Sequence, residues 1–237
     1  MPRSLIKPAL FFDFDNTLTR GDVLDELIER YSPNDAWRGW EEAWQQGRLP
    51  ARDCLRLQVA NMRVSRERLL EDVSRVRIDP AFREIVDWAR RRDVAVRIVS
   101  DSFLPLITTM LAANGIAGVP VFANDLDFAP GERLVPSFPH YDPASACAAN
   151  AKARHLAPYR ATHRLVFAGD GHSDLEAAVT ADVVFAKSTL ANELGLRGVA
   201  FYPFDTLGPV LDFLETAPMI AIQPFSAARR RGARAGS

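Results

Sequence analysis

Asp13 and Asp15 stand two residues apart in Phe11-Phe12-Asp13-Phe14-Asp15-Asn16-Thr17, at the end of an apolar run that begins at Ala9. A charge inside such a run is costly unless it is used. In an extended segment the spacing of two puts both carboxyls on one face. Paired carboxyls of this kind suit nucleophilic and acid–base work. Two further apolar stretches end in polar groups: residues 94–99 lead into Ser100-Asp101-Ser102, and residues 165–168 lead into Gly169-Asp170-Gly171-His172-Ser173-Asp174. Asp and Ser also cap helices and fill turns, which accounts for Ser173 with Glu176 three residues on, a capping-box pattern. It does not account for Asp13. Several acids at one sheet edge repel each other unless a cation sits among them. A hard divalent ion with oxygen ligands, Mg2+ first among them, relieves that repulsion and works with phosphate.

These residues need a scaffold that brings three distant segments together. The apolar stretches 9–14, 94–99 and 165–168 read as buried strands, with shorter ones at 119–122, 183–185 and 199–201. Helical spacing covers 80–92, 103–114, 144–156, 173–180 and 205–215, the second stopped by Gly115. Strands alternating with helices predict an α/β fold, a Rossmann-like parallel sheet core whose ligands bind outside the carboxyl ends of the strands. Residues 19–76 hold four helical stretches and no strand, so they read as an inserted helical cap domain. The core domain is then 1–18 with 77–226. In the cap, Trp37, Trp40 and Trp44 share a helical face and read as cap core. Residues 124–144, with four prolines, read as a hairpin or excursion. The tail 227–237 is basic and rich in small residues, the composition of a solvated, disordered terminus.

Composition narrows the class. In 237 residues, 48% are hydrophobic and the net charge is -1, which excludes a largely disordered chain. The charge balance argues against a nucleic-acid binder. No apolar run approaches the ~18 residues of a membrane span, and no secretory leader stands at the start. Two cysteines, Cys54 and Cys147, make no disulfide framework and fit a reducing, cytoplasmic setting. Only three of the 29 basic residues are Lys, so Lys152, 18 residues before Asp170, is a conspicuous choice. His172 reads as an exposed turn residue, and His140, His155 and His163 show no metal-ligand spacing.

In this order and spacing the four segments resemble the haloacid dehalogenase (HAD) superfamily of phosphatases. Asp13-Phe14-Asp15-Asn16-Thr17 is similar to its first motif, DxDxT, and Ser100 to its second. Lys152 is similar to its third-motif lysine, and Gly169 to Asp174 to its fourth motif, GDGxxD. The resemblance spans residues 9–205. It implies a Mg2+-dependent phosphomonoester hydrolase acting on a small phosphorylated metabolite, as monomer or homodimer. Asp13 would be the nucleophile, forming an aspartyl-phosphate, and Asp15 the general acid and then base. Asp170 would bind Mg2+ with Asp13 and the backbone carbonyl of Asp15. Asp174 would hold a metal water or the lysine. Ser100, Lys152 and Thr17 would hold the phosphate.

The helical insertion resembles the type 1 cap of the phosphoserine-phosphatase-like branch. Asp22 stands where phosphoserine phosphatase carries Glu and resembles the methionine-salvage enolic phosphatase, while Arg56 matches a cap Arg of the former. Ser100-Asp101 resembles the SD of phosphoethanolamine/phosphocholine phosphatases. Asp22, Arg56, Asp101 and Ser102 are therefore the candidate substrate contacts. Asp101 either faces an amine or hydroxyl of the leaving group or turns away as a helix N-terminal residue. Competing classes are a phosphotransferase or mutase of the same superfamily, and a non-catalytic binding module. The latter needs a missing catalytic residue, and Asp13, Asp15, Ser100, Lys152, Asp170 and Asp174 are all present.

Overall fold

A computed structural model describes residues 7–145 and 147–216. The expected disordered tail 227–237, and the end of the expected core segment, lie outside the described residues. The strands are β1 (Lys7–Phe12), β2 (Ala95–Phe103), β3 (Val121–Ala129), β4 (Arg133–Ser137), β5 (His163–Gly169), β6 (Val183–Ala186) and β7 (Tyr202–Pro203). They form one sheet in the order β4-β3-β2-β1-β5-β6-β7. All neighbours pair in parallel except β3 and β4, which form an antiparallel hairpin. This is the Rossmann-like α/β core that the strand–helix alternation predicts.

The central position of β1 follows from its residues. Every one after Lys7 is buried. Leu10 and Phe12 pack into the apolar cluster of one face, Ala9 and Phe11 into that of the other. A strand apolar on both faces belongs in the middle of a parallel sheet, and each buried Phe or Leu there stabilises the fold by about 1.5–3 kcal/mol. Helices α5 (Pro80–Arg91), α6 (Leu104–Ala113) and α10 (Gly208–Thr216) supply the first cluster. Helices α7 (Lys152–Leu156), α8 (Leu175–Thr180) and α9 (Ser188–Leu196) supply the second. Asp13 follows β1, Asp170 follows β5 and Ser100 lies in the second half of β2, the three strands being adjacent in the sheet.

Four helices, α1 (Val23–Tyr31), α2 (Ala36–Gln45), α3 (Ala51–Asn61) and α4 (Arg66–Ser74), lie between β1 and α5 with no strand among them. Helix α1 starts where Asp22 accepts the Asp25 N–H at 2.9 Å, and it buries Val23, Leu24, Leu27 and Ile28. The chain enters and leaves this block side by side, at a bridge between Thr19 and Ile78 and a bond from Asp79 N to Leu18 O.

Several elements differ from their expected form. Residues 144–145 and 147–151 are not helical. Their N–H groups go instead to side chains and distant carbonyls, Ala149 and Asn150 to Asp101 and Ala151 to His140, so the helix begins only at Lys152. The Ser173–Glu176 capping box is absent: residues His172–Asp174 form a 3-10 turn, and the Asp174 carboxylate reaches back to the Asp170 and Gly171 amides. The last strand is Tyr202–Pro203, a few residues beyond 199–201. The Trp face of α2 is not a buried core, because none of its residues is buried: Trp37 packs on the main apolar cluster, and Trp44 lines a cavity.

Candidate active site

Where β1 ends, Asp13 N still bonds to Ala168 O at 2.9 Å, which fixes the carboxyl beside the β5 loop. Lys152, at the first turn of α7, is 2% exposed and reaches the same place. Its Nζ donates to Asp13 Oδ1 at 2.7 Å, to Asp174 Oδ1 at 2.6 Å and to Ser173 Oγ at 3.1 Å. Asp174 is fully buried, and its Oδ2 accepts the Asp170 and Gly171 N–H groups, both at 3.0 Å. Gly169 is required here: a Cβ would lie 2.5 Å from Asp174 Oδ2. Asn16, in the left-handed region at φ 50°, a conformation Asn tolerates, donates from Nδ2 to Asp170 Oδ2 at 2.6 Å. One carboxylate oxygen each from Asp13, Asp170 and Asp174 lies within 4.8 Å of the others. Three clustered carboxylates with an oxygen-only donor set fit a hard divalent cation such as Mg2+.

Burial moves the titrations. It pushes the Asp13 carboxyl well above the usual range, with Asp174 and Asp170 adding to the rise and Lys152 opposing it. Burial likewise raises Asp15 strongly, and the charge of Asp22 adds to it, against bonds from Ser102 and the Val23 N–H. Asp170 is pushed up to about 6 by burial and by Asp174. Burial works against the Lys152 charge, but Asp13, Asp174 and Asp101 outweigh it, so the ammonium titrates well above its ordinary value.

A cavity of about 580 Å3 opens onto these groups. Asp13, Asp15, Ser100, Lys152 and Asp170 line it from the sheet. Asp22, Asp25, Glu41, Trp44, Cys54 and Gln58 line it from the helical block. Burial pushes Asp25 up to about 7, with Asp22 and Glu41 contributing. Glu193 pairs through Oε1 with His172, whose ring lies edge-on to Trp44 at 6.4 Å, while Glu193 Oε2 is buried with no partner among the described residues. Most sequence candidates meet here. Three do not line it: Arg56 pairs with Asp53 at 3.3 Å and is more than half exposed, Thr17 sits with its hydroxyl 3.5 Å from Asp170 Oδ1, and Asp174 is buried behind Lys152. Asp101 and Ser102 line the cavity, but the Asp101 carboxylate accepts two backbone N–H groups of the Lys152 loop.

Sequence reasoning missed Asn16 as a site residue, although it stands within the first motif, and Asp25, Glu41 and Glu193. Asp25 lies three residues after Asp22, close enough to share a helix face. Glu41 and Glu193 carry no local signal, because they reach the cavity only through the packing of α2 and α9.

The model of haloacid dehalogenase-like hydrolases matches residues 10–178, which includes all of these motif residues. The chain belongs to the haloacid dehalogenase-like hydrolase family. Its relatives place the hydrolase with that family's phosphatases. It is 26% identical over 216 residues to the 2-hydroxy-3-keto-5-methylthiopentenyl-1-phosphate phosphatase of Brevibacillus brevis, covering 88% of this chain and 96% of the relative. It is 23% identical to a polyol phosphate phosphatase of Saccharomyces cerevisiae, covering 87% and 92%. In fold it is similar to a phospho-aspartyl intermediate analogue of phosphoserine phosphatase, with a TM-score of 0.66 at 20% identity, covering 87% of this chain and 98% of that one. No helix among the described residues is long and apolar enough to cross a membrane.

Proposed function

We propose that this hydrolase is a Mg2+-dependent phosphatase of small phosphorylated metabolites, acting through an aspartyl-phosphate. The observation that carries the reading is the meeting of Asp13, Asp170 and Lys152 on the wall of one cavity, with buried Asp174 behind them paired to Lys152. Asp170 and Asp13, with the backbone carbonyl of Asp15, would hold Mg2+. The ion supplies charge neutralisation to the phosphoryl oxygens and lets the anionic nucleophile approach them. Residues 19–76 act as a cap over the cavity, on a core of 1–18 and 77–226. The two free cysteines suit a cytoplasmic enzyme.

The steps balance. An Asp13 oxygen attacks phosphorus, the bond from phosphorus to the leaving oxygen breaks, and Asp15 gives that oxygen its proton. Asp15, now ionised, takes a proton from water as the water oxygen attacks the phosphorus of the acyl phosphate. Asp13 leaves as carboxylate and inorganic phosphate is released. Ser100 and Lys152 hold the phosphoryl oxygens, and the compact ammonium offsets charge that grows in the transition state. Asp174 keeps Lys152 aimed, and Thr17 and Asn16 steady Asp170.

The acidic part of the cavity bears on the leaving group. Asp22, Asp25 and Glu41 line the cavity from the cap, and Glu193 lines it beside His172. A carboxylate on the leaving group would meet like charge there, whereas an ammonium or hydroxyl would be welcomed, with the Trp44 ring as a further cation surface. We expect aminoalkyl and polyol phosphates to outrun phosphorylated hydroxy acids in kcat/KM by roughly tenfold, equivalent to about 1.4 kcal/mol. Phosphate release from p-nitrophenyl phosphate, with and without EDTA, tests the core reading. Turnover that survives EDTA, or that is unchanged in Asp13→Asn, would overturn it.

A further inference from the structure

Ser100 and Lys152 come from segments far apart in the chain, and no direct contact joins their side chains. What joins their backbones is a closed set of bonds around Asp101, which is half-buried, and Asn150, which is fully buried. Asp101 Oδ1 accepts the Asn150 N–H at 2.8 Å, and Oδ2 accepts the Ala149 N–H at 3.2 Å. In return, Asn150 Nδ2 donates to Ser100 O and to Phe122 O, both at 2.9 Å. Asn150 Oδ1 lies 2.9 Å from His155 Nε2, and Asn124 Nδ2 donates to Asp101 O at 2.6 Å. Asn150 and Asn124 are both fully buried. The side chain after Ser100 thus holds the backbone two and three residues before Lys152, and the side chain two residues before Lys152 holds the backbone of Ser100.

We propose that Asp101 and Asn150 are positioning residues that set the spacing of the Ser100 hydroxyl and the Lys152 ammonium for the phosphoryl group in flight. The proposal rests on the phosphatase reading above. It assigns Asp101 to the Lys152 loop rather than to the substrate. Its acid type suits its partners: the two consecutive N–H groups go to separate oxygens, Oδ1 and Oδ2, of which an amide would keep only one. The non-helical course of residues 149–151 follows from the same bonds. Misplacing a phosphate-holding group by a fraction of an ångström is felt in the transition state more than in the ground state, so the loss falls on kcat.

The test is a double-mutant cycle on the full chain with Mg2+ present. Asp101→Ala is expected to lower kcat by about 10- to 100-fold, as supporting residues of active sites do, with KM little changed. The loss should be equal for an aminoalkyl phosphate and for p-nitrophenyl phosphate. In a Lys152→Ala background the same substitution should cost less than about threefold, because the group it positions is gone. Asp101→Asn, which keeps one acceptor, should fall between wild type and Asp101→Ala. Asn150→Ser carries the same kcat prediction where Asp101→Ala does not fold, as read from its circular dichroism. A loss confined to the amine substrate, a loss that adds fully to Lys152→Ala, or an unchanged kcat would each overturn the proposal. A wild type without metal-dependent phosphate release would instead overturn the phosphatase reading itself.

Discussion

Asp13 and Asp15 are the same side chain two residues apart, and their surroundings separate their chemistry. Asp13 shares a proton donor, Lys152, at 2.7 Å. Asp15 has no cation beside it and sits against the Val23 N–H and the charge of Asp22. Burial raises both, but only Asp13 has an ammonium pulling it back toward the anion that a nucleophile must be. Asp15 is therefore the one that keeps a proton at pH values where an ordinary carboxyl has lost it, and kcat for alkyl phosphates should fall as rising pH removes that proton. Asp15→Asn should lower kcat by about 10²- to 10⁴-fold for an alkyl phosphate, and far less for p-nitrophenyl phosphate, whose leaving oxygen needs no proton. Equal losses on both substrates, measured in steady state, would remove the acid role. Asp13 was legible in the sequence because a charge inside an apolar strand needs a reason. Thr17 was placed too simply, since a hydroxyl two residues beyond Asp15 turned out to face Asp170.

At the scale of elements, the fourth-motif loop is built around a residue with no side chain. Asp174 folds back over Gly169 to collect two amides and Lys152, and any Cβ at 169 would occupy that path. Gly169→Ala should cost roughly tenfold or more in kcat by the misplacement argument. Its Mg2+ requirement should rise as well, read from activity against Mg2+ concentration; wild-type behaviour would show that the loop tolerates the shift. In the cap, Asp72 ties α1 to α4: it accepts from Tyr31 and from Arg30, and Arg68 lies 3.3 Å away. Asp72→Ala removes this tie, and because Arg30 and Arg68 are more than half exposed and can turn to water, stability should fall by only about 1 kcal/mol, checked by urea denaturation. The strands and cap helices were legible because unbroken apolar runs and an apolar period of 3.6 are local signals. The 144–151 segment was not. Its composition suits a helix, but the half-buried Asp101 carboxylate takes the Ala149 and Asn150 N–H groups in place of helical carbonyls.

For the whole molecule, the gathered acids make stability depend on pH in an unusual direction. Asp13, Asp15, Asp22, Asp25, Asp101 and Asp170 all hold protons more tightly folded than unfolded. The folded state therefore binds more protons between the ordinary carboxylate value of 3.8 and the Asp25 value of about 7, and stability falls as pH rises through that window. His155, lowered to about 4 by burial, acts oppositely below its ordinary 6.5, but it is one group against several. In EDTA the Tm should fall from about pH 5 to about pH 8. Mg2+ should restore more stability at the upper end, where its ligands are ionised. A Tm in EDTA that climbs over that range would contradict the linkage. The account as a whole rests on phosphorus passing through Asp13. That claim is tested most directly by the stereochemistry of hydrolysis of a phosphorothioate ester made chiral with oxygen isotopes, in isotopically labelled water. Two successive in-line displacements predict retention of configuration at phosphorus. Inversion would mean that water attacks the substrate directly, and would contradict it.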